Sequence, residues 1–382
     1  MITAIFVAKS ARTFCYGFLG ILLPVYLDEL GMSAVGIGLA VTLTLAGSAA
    51  LTWGVRRPAE RFGGRAVLLA LAALTAIAAC LLLLSREPWV VVFAAMVGNV
   101  AVGAGETGPF LSIEQVMIAR AAAAGRRTKV LSVYNLLGYA AAAFGAATVG
   151  VVGSYQALFA AFLAAAGVQA LAYLRLPSTA PVRPRAGAAA LPSTALIRKL
   201  AALFSLDSFA GGFVLQSLVA YYLHARFALE LEALGRIFFV AQLLTAVSLL
   251  VAGRLAGRFG LLNTMVFSHL VSNVQLIGVA AAPTATVAVA LLFARQLLSQ
   301  IDVPTRQAYV MAVVQDHERE AAATTTTLWR TVAQAVTPAL TGVIMQAVAL
   351  GTPFVLGGGL KIVYDLLLYR TFRDVKLRSE HD

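Results

Sequence analysis

Charge is what this sequence has least of. Only 12% of its 382 residues are Asp, Glu, Lys or Arg, about half the share of an ordinary soluble domain. That shortage excludes a water-soluble enzyme or binding module, whose surface has to carry charge. Cysteine is scarce as well. Cys15 and Cys80 both fall inside apolar runs, so no disulfide framework or thiolate metal site can be built from them. They read as small packing residues. No P-loop, HExxH or paired-cysteine motif occurs, so pumping driven by a nucleotide site in this chain is excluded. No enzyme activity, cofactor or metal is expected. Acidic residues are outnumbered 17 to 29. The surplus Lys and Arg gather in short loops between apolar runs rather than on one soluble face, so nucleic acid is not an expected partner.

What the chain has in abundance is apolar length, with 60% hydrophobic residues. Twelve runs near 5–27, 35–55, 66–84, 89–111, 130–152, 157–174, 200–223, 234–255, 262–282, 286–303, 322–350 and 354–369 are long enough to cross a bilayer as helices. The first continues through Pro24 with no small-residue cleavage pattern before it, so a span rather than a cleaved leader is expected. The longest polar stretch, 176–197, holds Pro177, Pro181, Pro184 and Pro192 with Arg183 and Arg185. It reads as a cytoplasmic linker between an N-terminal six-helix half, 1–175, and a C-terminal half, 198–382, ending in a short tail. With the N-terminus inside, 21 loop Lys and Arg face the cytoplasm against three outside, Arg86, Arg226 and Arg236. Positive charge stays inside during insertion, so both termini are expected in the cytoplasm of a multi-pass protein of the cell membrane.

The two halves repeat. Ala59-Glu60-Arg61-Phe62-Gly63-Gly64-Arg65 returns as Gly253-Arg254-Leu255-Ala256-Gly257-Arg258-Phe259-Gly260, with Arg61 and Arg258 separated by 197. Gly17-Phe18 and Gly212-Phe213 are 195 apart, as are Pro109 and Pro304. A duplication of six spans gives halves of like topology, related by an axis along the membrane normal.

On these residues the chain resembles the major facilitator superfamily, whose layout is twelve spans, a long central loop and a basic turn between the second and third spans of each half. The family's turn reads roughly G-x-x-x-D-R-x-G-R-R. The second copy carries Gly253, Arg258 and Gly260, with Gly257 at the acidic position, and the first carries Glu60, Arg61, Gly63 and Arg65. The resemblance implies an all-α fold of twelve transmembrane helices in two pseudo-symmetric halves. It also implies a gating role on the cytoplasmic side for Glu60, Arg61, Gly63, Arg65, Gly253, Arg258 and Gly260. The fifth span has Gly138, Gly145 and Gly150 without the Gly-Pro pair common in antiporters of that family, and Asn99 stands where they often carry an Arg.

Six ionisable residues are read as lying near the bilayer centre within the expected spans: Arg12, Glu106, Asp207, Arg295, Asp302 and Arg330. Facing lipid they would cost on the order of 15–20 kcal/mol together, so they must face a wet cavity or one another. Arg12 and Asp207 are 195 apart, and Glu106 and Asp302, like Asn99 and Arg295, are 196 apart. The resemblance implies that the first, fourth, seventh and tenth spans line the central cavity. Arg12, Asn99, Glu106, Asp207, Arg295, Asp302 and Arg330 are therefore the expected substrate and coupling residues. Arg12 and Asp207 are expected either to pair across the halves or to pair each within its own. Glu106, Asp302 or Asp207 is the expected protonation site, with Arg295 two turns from Asp302 on one face.

The polar residues Asn99, Tyr134, Asn135, Gln216, Gln296, Gln300 and Gln334 suit either substrate contact or interhelical hydrogen bonds. Lys361 and Asp365, four apart, are expected to satisfy each other, and His269 to be a satisfied polar residue. Gly103-Ala104-Gly105-Glu106-Thr107-Gly108 fits a dinucleotide fingerprint, but no strand precedes it and Pro109 follows, so it is rejected. The expected function is secondary active transport of a small solute by alternating access, coupled to protons and in the export direction, by a monomer in the bilayer. A transporter-like sensor or scaffold and a facilitative uniporter are the alternatives.

Overall fold

The computed structural model describes residues 1–101, 108–121, 127–177, 194–313 and 319–373. Every regular element among them is a helix: α1 (Ile2–Glu29), α2 (Ala34–Gly54), α3 (Arg56–Phe62), α4 (Gly64–Leu84), α5 (Pro88–Val97), α6 (Pro109–Ala121), α7 (Arg127–Val152) and α8 (Tyr155–Leu174). There follow α9 (Thr194–Gly212), α10 (Gln216–Phe227), α11 (Leu231–Phe259), α12 (Leu261–Ala281), α13 (Ala285–Ser299), α14 (Asp302–Val313), α15 (Arg319–Ala347) and α16 (Thr352–Phe372). Eight helical stretches among the described residues are long and apolar enough to cross a membrane.

Twelve expected runs and sixteen helices are reconciled by four local events. The fourth run is interrupted after Val97, the seventh at Phe213–Leu215 and the tenth at Gln300–Ile301, and the first basic turn is itself the short helix α3. The interruptions have chemical causes. Pro109 opens α6 and Pro304 lies in the first turn of α14, where a missing N–H leaves no hydrogen bond unmade. In the first of these breaks, Asn99 adopts φ 51°, a left-handed conformation that Asn tolerates better than most residues.

The duplication is visible in backbone detail. Gly63 (φ 83°, ψ 158°) ends α3 and Gly260 (φ 82°, ψ 158°) ends α11, a conformation essentially reserved for glycine. Gly17 lies directly against the backbone of Ala142 on α7, and Gly212 against the backbone of Gln334 and the side chain of Thr337 on α15. The first and fifth runs of each half thus meet at a small residue, where backbones can approach closely.

The chain forms two compact units. One comprises Met1–Ala186 with Leu215–Gln242, the other Gly187–Val214 with Leu243–Asp382. The first unit takes in α10 and the start of α11. There Gly235 packs on Ala146 and Gly150 of α7, Gln242 donates a 2.7 Å hydrogen bond to Gln216, and Tyr155 donates one of 2.6 Å to Glu29. Its apolar core includes Leu68, Leu71, Phe110, Ile118, Tyr134 and Tyr173. The second is built on Leu200, Phe204, Met265, Tyr309, Tyr364 and Leu368. Large apolar side chains such as Trp53, Leu84, Leu250 and Val151, the last 86% exposed, stand on the outer faces of the helices. That arrangement suits lipid and not water.

Candidate functional site

Each unit encloses a charged cluster. In the first, Arg12 comes from the middle of α1 and Glu114 from the second turn of α6, and both are completely buried. The guanidinium grips the carboxylate through two nitrogens, Nη2 to Oε2 at 2.7 Å and Nη1 to Oε1 at 3.2 Å. Tyr134 from α7 and Tyr173 from α8 each donate a 2.6 Å bond to the same carboxylate. Nη1 of Arg12 also donates to the Tyr173 hydroxyl at 2.8 Å, and the guanidinium lies 4.4 Å from the centre of the Phe110 ring. Four helices are joined by one two-pronged ion pair, with the carboxylate oxygens supplied with donors on all sides.

The second unit holds a longer network. Asp207 on α9 accepts from Lys361 Nζ at 2.6 Å on one oxygen and from Arg306 Nη1 at 3.1 Å on the other. Arg306 Nη1 also donates to Asp302 at 2.7 Å, one turn back on α14. Beyond Lys361, His269 Nε2 lies 3.4 Å from the ammonium, while Nδ1 is 2.8 Å from Asp365. Asn273 donates to the other oxygen of Asp365 at 3.1 Å. Asp207, His269, Asp302, Arg306, Lys361 and Asp365 are all buried. Among the described residues, two guanidinium groups stand beside this network without a carboxylate. Arg330 donates through Nε to Ser208 at 2.8 Å, and Arg295 donates through Nη1 to its neighbour Gln296 at 3.0 Å.

The family model described as Major Facilitator Superfamily matches residues 5–338. The chain belongs to that superfamily. An uncharacterized membrane protein of Saccharomyces cerevisiae, YJR124C, is 23% identical over 422 residues, covering 97% of this chain and 94% of that protein. Among solved structures, the nucleoside transporter NupG superposes with a TM-score of 0.76 at 15% identity, over 97% of this chain and 99% of that one. The inward-open xylose transporter XylE of E. coli superposes at 0.76 and 13% identity, over 100% of this chain and 98% of that one. The all-helical facilitator fold read from the sequence is therefore the fold of this chain, and the family indicates a transporter.

The structure places the expected site residues of this facilitator unevenly. Asp207 and Asp302 meet through Arg306. Arg12 and Asp207 make the ion pairs described above with residues of their own units, the second of the two arrangements expected. Asn99 is buried in the break of the fourth run and donates to the Tyr16 hydroxyl at 3.2 Å, with its own Oδ1 unpartnered. Glu106 lies outside the described residues. At the turns, Arg61 and Arg258 are exposed and stack on the adjacent Phe62 and Phe259 rings, and Arg65 is half-buried. The side chain of Glu60 lies outside the described part. Gly253 is inside α11 with open space around it.

Four expectations need correction. Arg306, counted among the cytoplasmic loop charges, is 4% exposed inside α14. Asp302 is bonded to Arg306, one turn away, and not to Arg295. Lys361 and Asp365 do not satisfy each other: the first reaches Asp207 and the second His269 and Asn273. Glu114 fell just past the expected end of the fourth run. Hydropathy stops at the first polar residues, whereas the helix restarted by Pro109 continues to Ala121. Its place three residues after Leu111 in a proline-started helix was the signal available.

Proposed function

We propose that this facilitator is a secondary active transporter that moves a small solute across the cell membrane by alternating access. Proton movement couples through the carboxylates of the second unit. Asp207 carries this reading, a buried acid gripped by both Lys361 and Arg306. A fully formed ion network of this kind adds little net stability over an apolar core of the same volume. Its retention is understood if Asp207 takes up a proton only once Lys361 and Arg306 have moved to other partners. Asn99, Glu106, Arg295, Asp302 and Arg330 complete the substrate and coupling cavity, and Arg12 with Glu114 forms the corresponding ionic joint of the N-terminal half.

Both termini and the α3 turn face the cytoplasm, by the distribution of loop Arg and Lys. Glu60, Arg61, Gly63, Arg65, Gly253, Arg258 and Gly260 form the gate there. Export is the direction assigned, from the likeness of the turn to that of exporters, and the monomer is the working unit.

The test is flux in proteoliposomes under an imposed pH gradient, with uridine, xylose, benzoate and tetraphenylphosphonium as labelled probes. Gradient-driven movement of at least one probe, abolished by Asp207→Asn, is expected. Flux indifferent to the gradient would identify a uniporter. No flux of any probe, with Asp207→Asn as stable as wild type, would favour the sensor or scaffold.

A further inference from the structure

Among its described residues, the second unit encloses more cations than its carboxylates neutralise. Among its buried and half-buried described residues stand Arg295, Arg306, Arg330 and Lys361 against Asp207, Asp302 and Asp365. All three carboxylates are committed: Asp207 to Lys361 and Arg306, Asp302 to Arg306, Asp365 to His269 and Asn273. Arg330 is left with a serine hydroxyl, and Arg295 with a glutamine carbonyl and a buried Nε that has no partner at all. A neutral dipole does not compensate a charge removed from water, so these two guanidinium groups are held in an unfinished environment. Both are half-buried, not sealed, and both lie near enough to Asp207 and Asp302 to feel their charge.

Further donors stand close to the residues that hold Arg330. Ser208 and Gly211 are three apart on α9 and share a face. A Cβ on Gly211 would meet Lys361 Nζ at 3.6 Å and Gln334 Nε2 at 3.9 Å, with nothing nearer. Gln334 is one turn beyond Arg330 on α15. The flank of Gly211 thus has an amide N–H2 and an ammonium against it, and Arg330 is held by Ser208 on the same face of α9. Lys361 has three N–H donors, more than Asp207 alone engages.

We propose that this cluster of cations and donors binds an oxyanion, a carboxylate or phosphate group on the transported solute, with Arg330 as the principal anchor and Arg295 as a second cation. The inference rests on the transporter reading above and adds the substrate class. A planar guanidinium with free N–H groups pairs with the two oxygens of such a group, and an ammonium completes the third side. Binding would finish the charge balance that the protein leaves open.

The test uses purified full-length protein in nanodiscs, with benzoate and inorganic phosphate as oxyanion probes and tetraphenylphosphonium and xylose as cationic and neutral controls. Benzoate or phosphate, but neither control, is expected to raise the melting temperature of wild type. Whichever of the two acts tells carboxylate from phosphate. Arg330→Gln and Arg295→Gln should each weaken that binding roughly tenfold or more, Arg330→Lys should keep part of it, and Arg370→Gln, exposed in the last turn of α16, should keep all of it. Because the empty site is uncompensated, Arg330→Gln should melt no lower than wild type without ligand, whereas a structural arginine would lower it. Oxyanions that fail to stabilise wild type, or that stabilise Arg330→Gln as well as wild type, overturn the inference. Binding of benzoate without flux in proteoliposomes would sink the transporter reading and spare the site. Flux of xylose or tetraphenylphosphonium with no oxyanion binding would do the reverse.

Discussion

Arg12 and Asp207 occupy the same place in the two halves of the chain, 195 residues apart, and carry opposite charge. Each is answered from the helix that restarts the fourth run of its half: Arg12 by Glu114 on α6, Asp207 by Arg306 on α14. The polarity of the joint is inverted while its position is kept. The aromatic support is inverted with it, since Arg12 lies over Phe110 and Arg306 over Phe204.

The first prediction concerns the Arg12–Glu114 pair. Glu114→Gln leaves a completely buried guanidinium without its counter-charge and should destabilise by about 3–5 kcal/mol. Arg12→Met combined with Glu114→Leu removes both charges and should recover most of the loss. Melting temperatures in detergent decide the matter, and a double variant no better than either single one would refute the pair as a unit.

At Asp207 two cations depend on one acid. Asp207→Asn should lower the melting temperature more than Lys361→Met does, because it strands both Lys361 and Arg306. Asp207→Asn with Lys361→Met should melt higher than Asp207→Asn alone. Gradient-driven flux should be absent from both, since the exchangeable carboxylate is gone.

Backbone chemistry at the turns predicts opposite signs for neighbouring glycines. Ala at Gly63 or Gly260 must adopt φ near 83° with an extended ψ and should destabilise by about 1–3 kcal/mol. Ala at Gly253 or Gly257, inside α11 with nothing within reach of a new Cβ, should stabilise by about 0.5–1 kcal/mol. Thermal unfolding of the four variants separates the two effects.

The close helix contacts give a parallel contrast. At Gly17 a Cβ would collide with the Ala142 backbone, and at Gly212 it would stand 2.6 Å from Thr337 Cβ. Ala at either position should destabilise by about 1–3 kcal/mol or more through overpacking. Gly359→Ala on α16, in open space, should be neutral or better. If Gly17→Ala melts like wild type, α1 and α7 do not approach as described.

The architecture was legible because it is written in quantities that add along the chain. Run length, the 197-residue return of the basic turn and the equivalence of Gly17 with Gly212 require no knowledge of what touches what, and the structure repeats each of them in its backbone. The cost of charge in lipid likewise singled out Arg12, Asp207, Asp302, Arg295 and Arg330 before any contact was known. What a hydropathy window averages away was lost. Glu114 and Arg306 sit in short amphipathic helices restarted near a proline, where polar residues dilute the apolar signal, so they looked like loop.

Sequence alone therefore determined the class of the protein, its duplication and most of the residues that must be compensated, since these follow from composition and periodicity. Only the tertiary structure decided the partners. Spacing four on one helix made Lys361 and Asp365 look like a pair, yet α9 and α12 supply Asp207 and His269 at 2.6 and 2.8 Å. An ion pair is chosen by distance in three dimensions and by which alternatives are desolvated together, and neither quantity is a property of position along the chain.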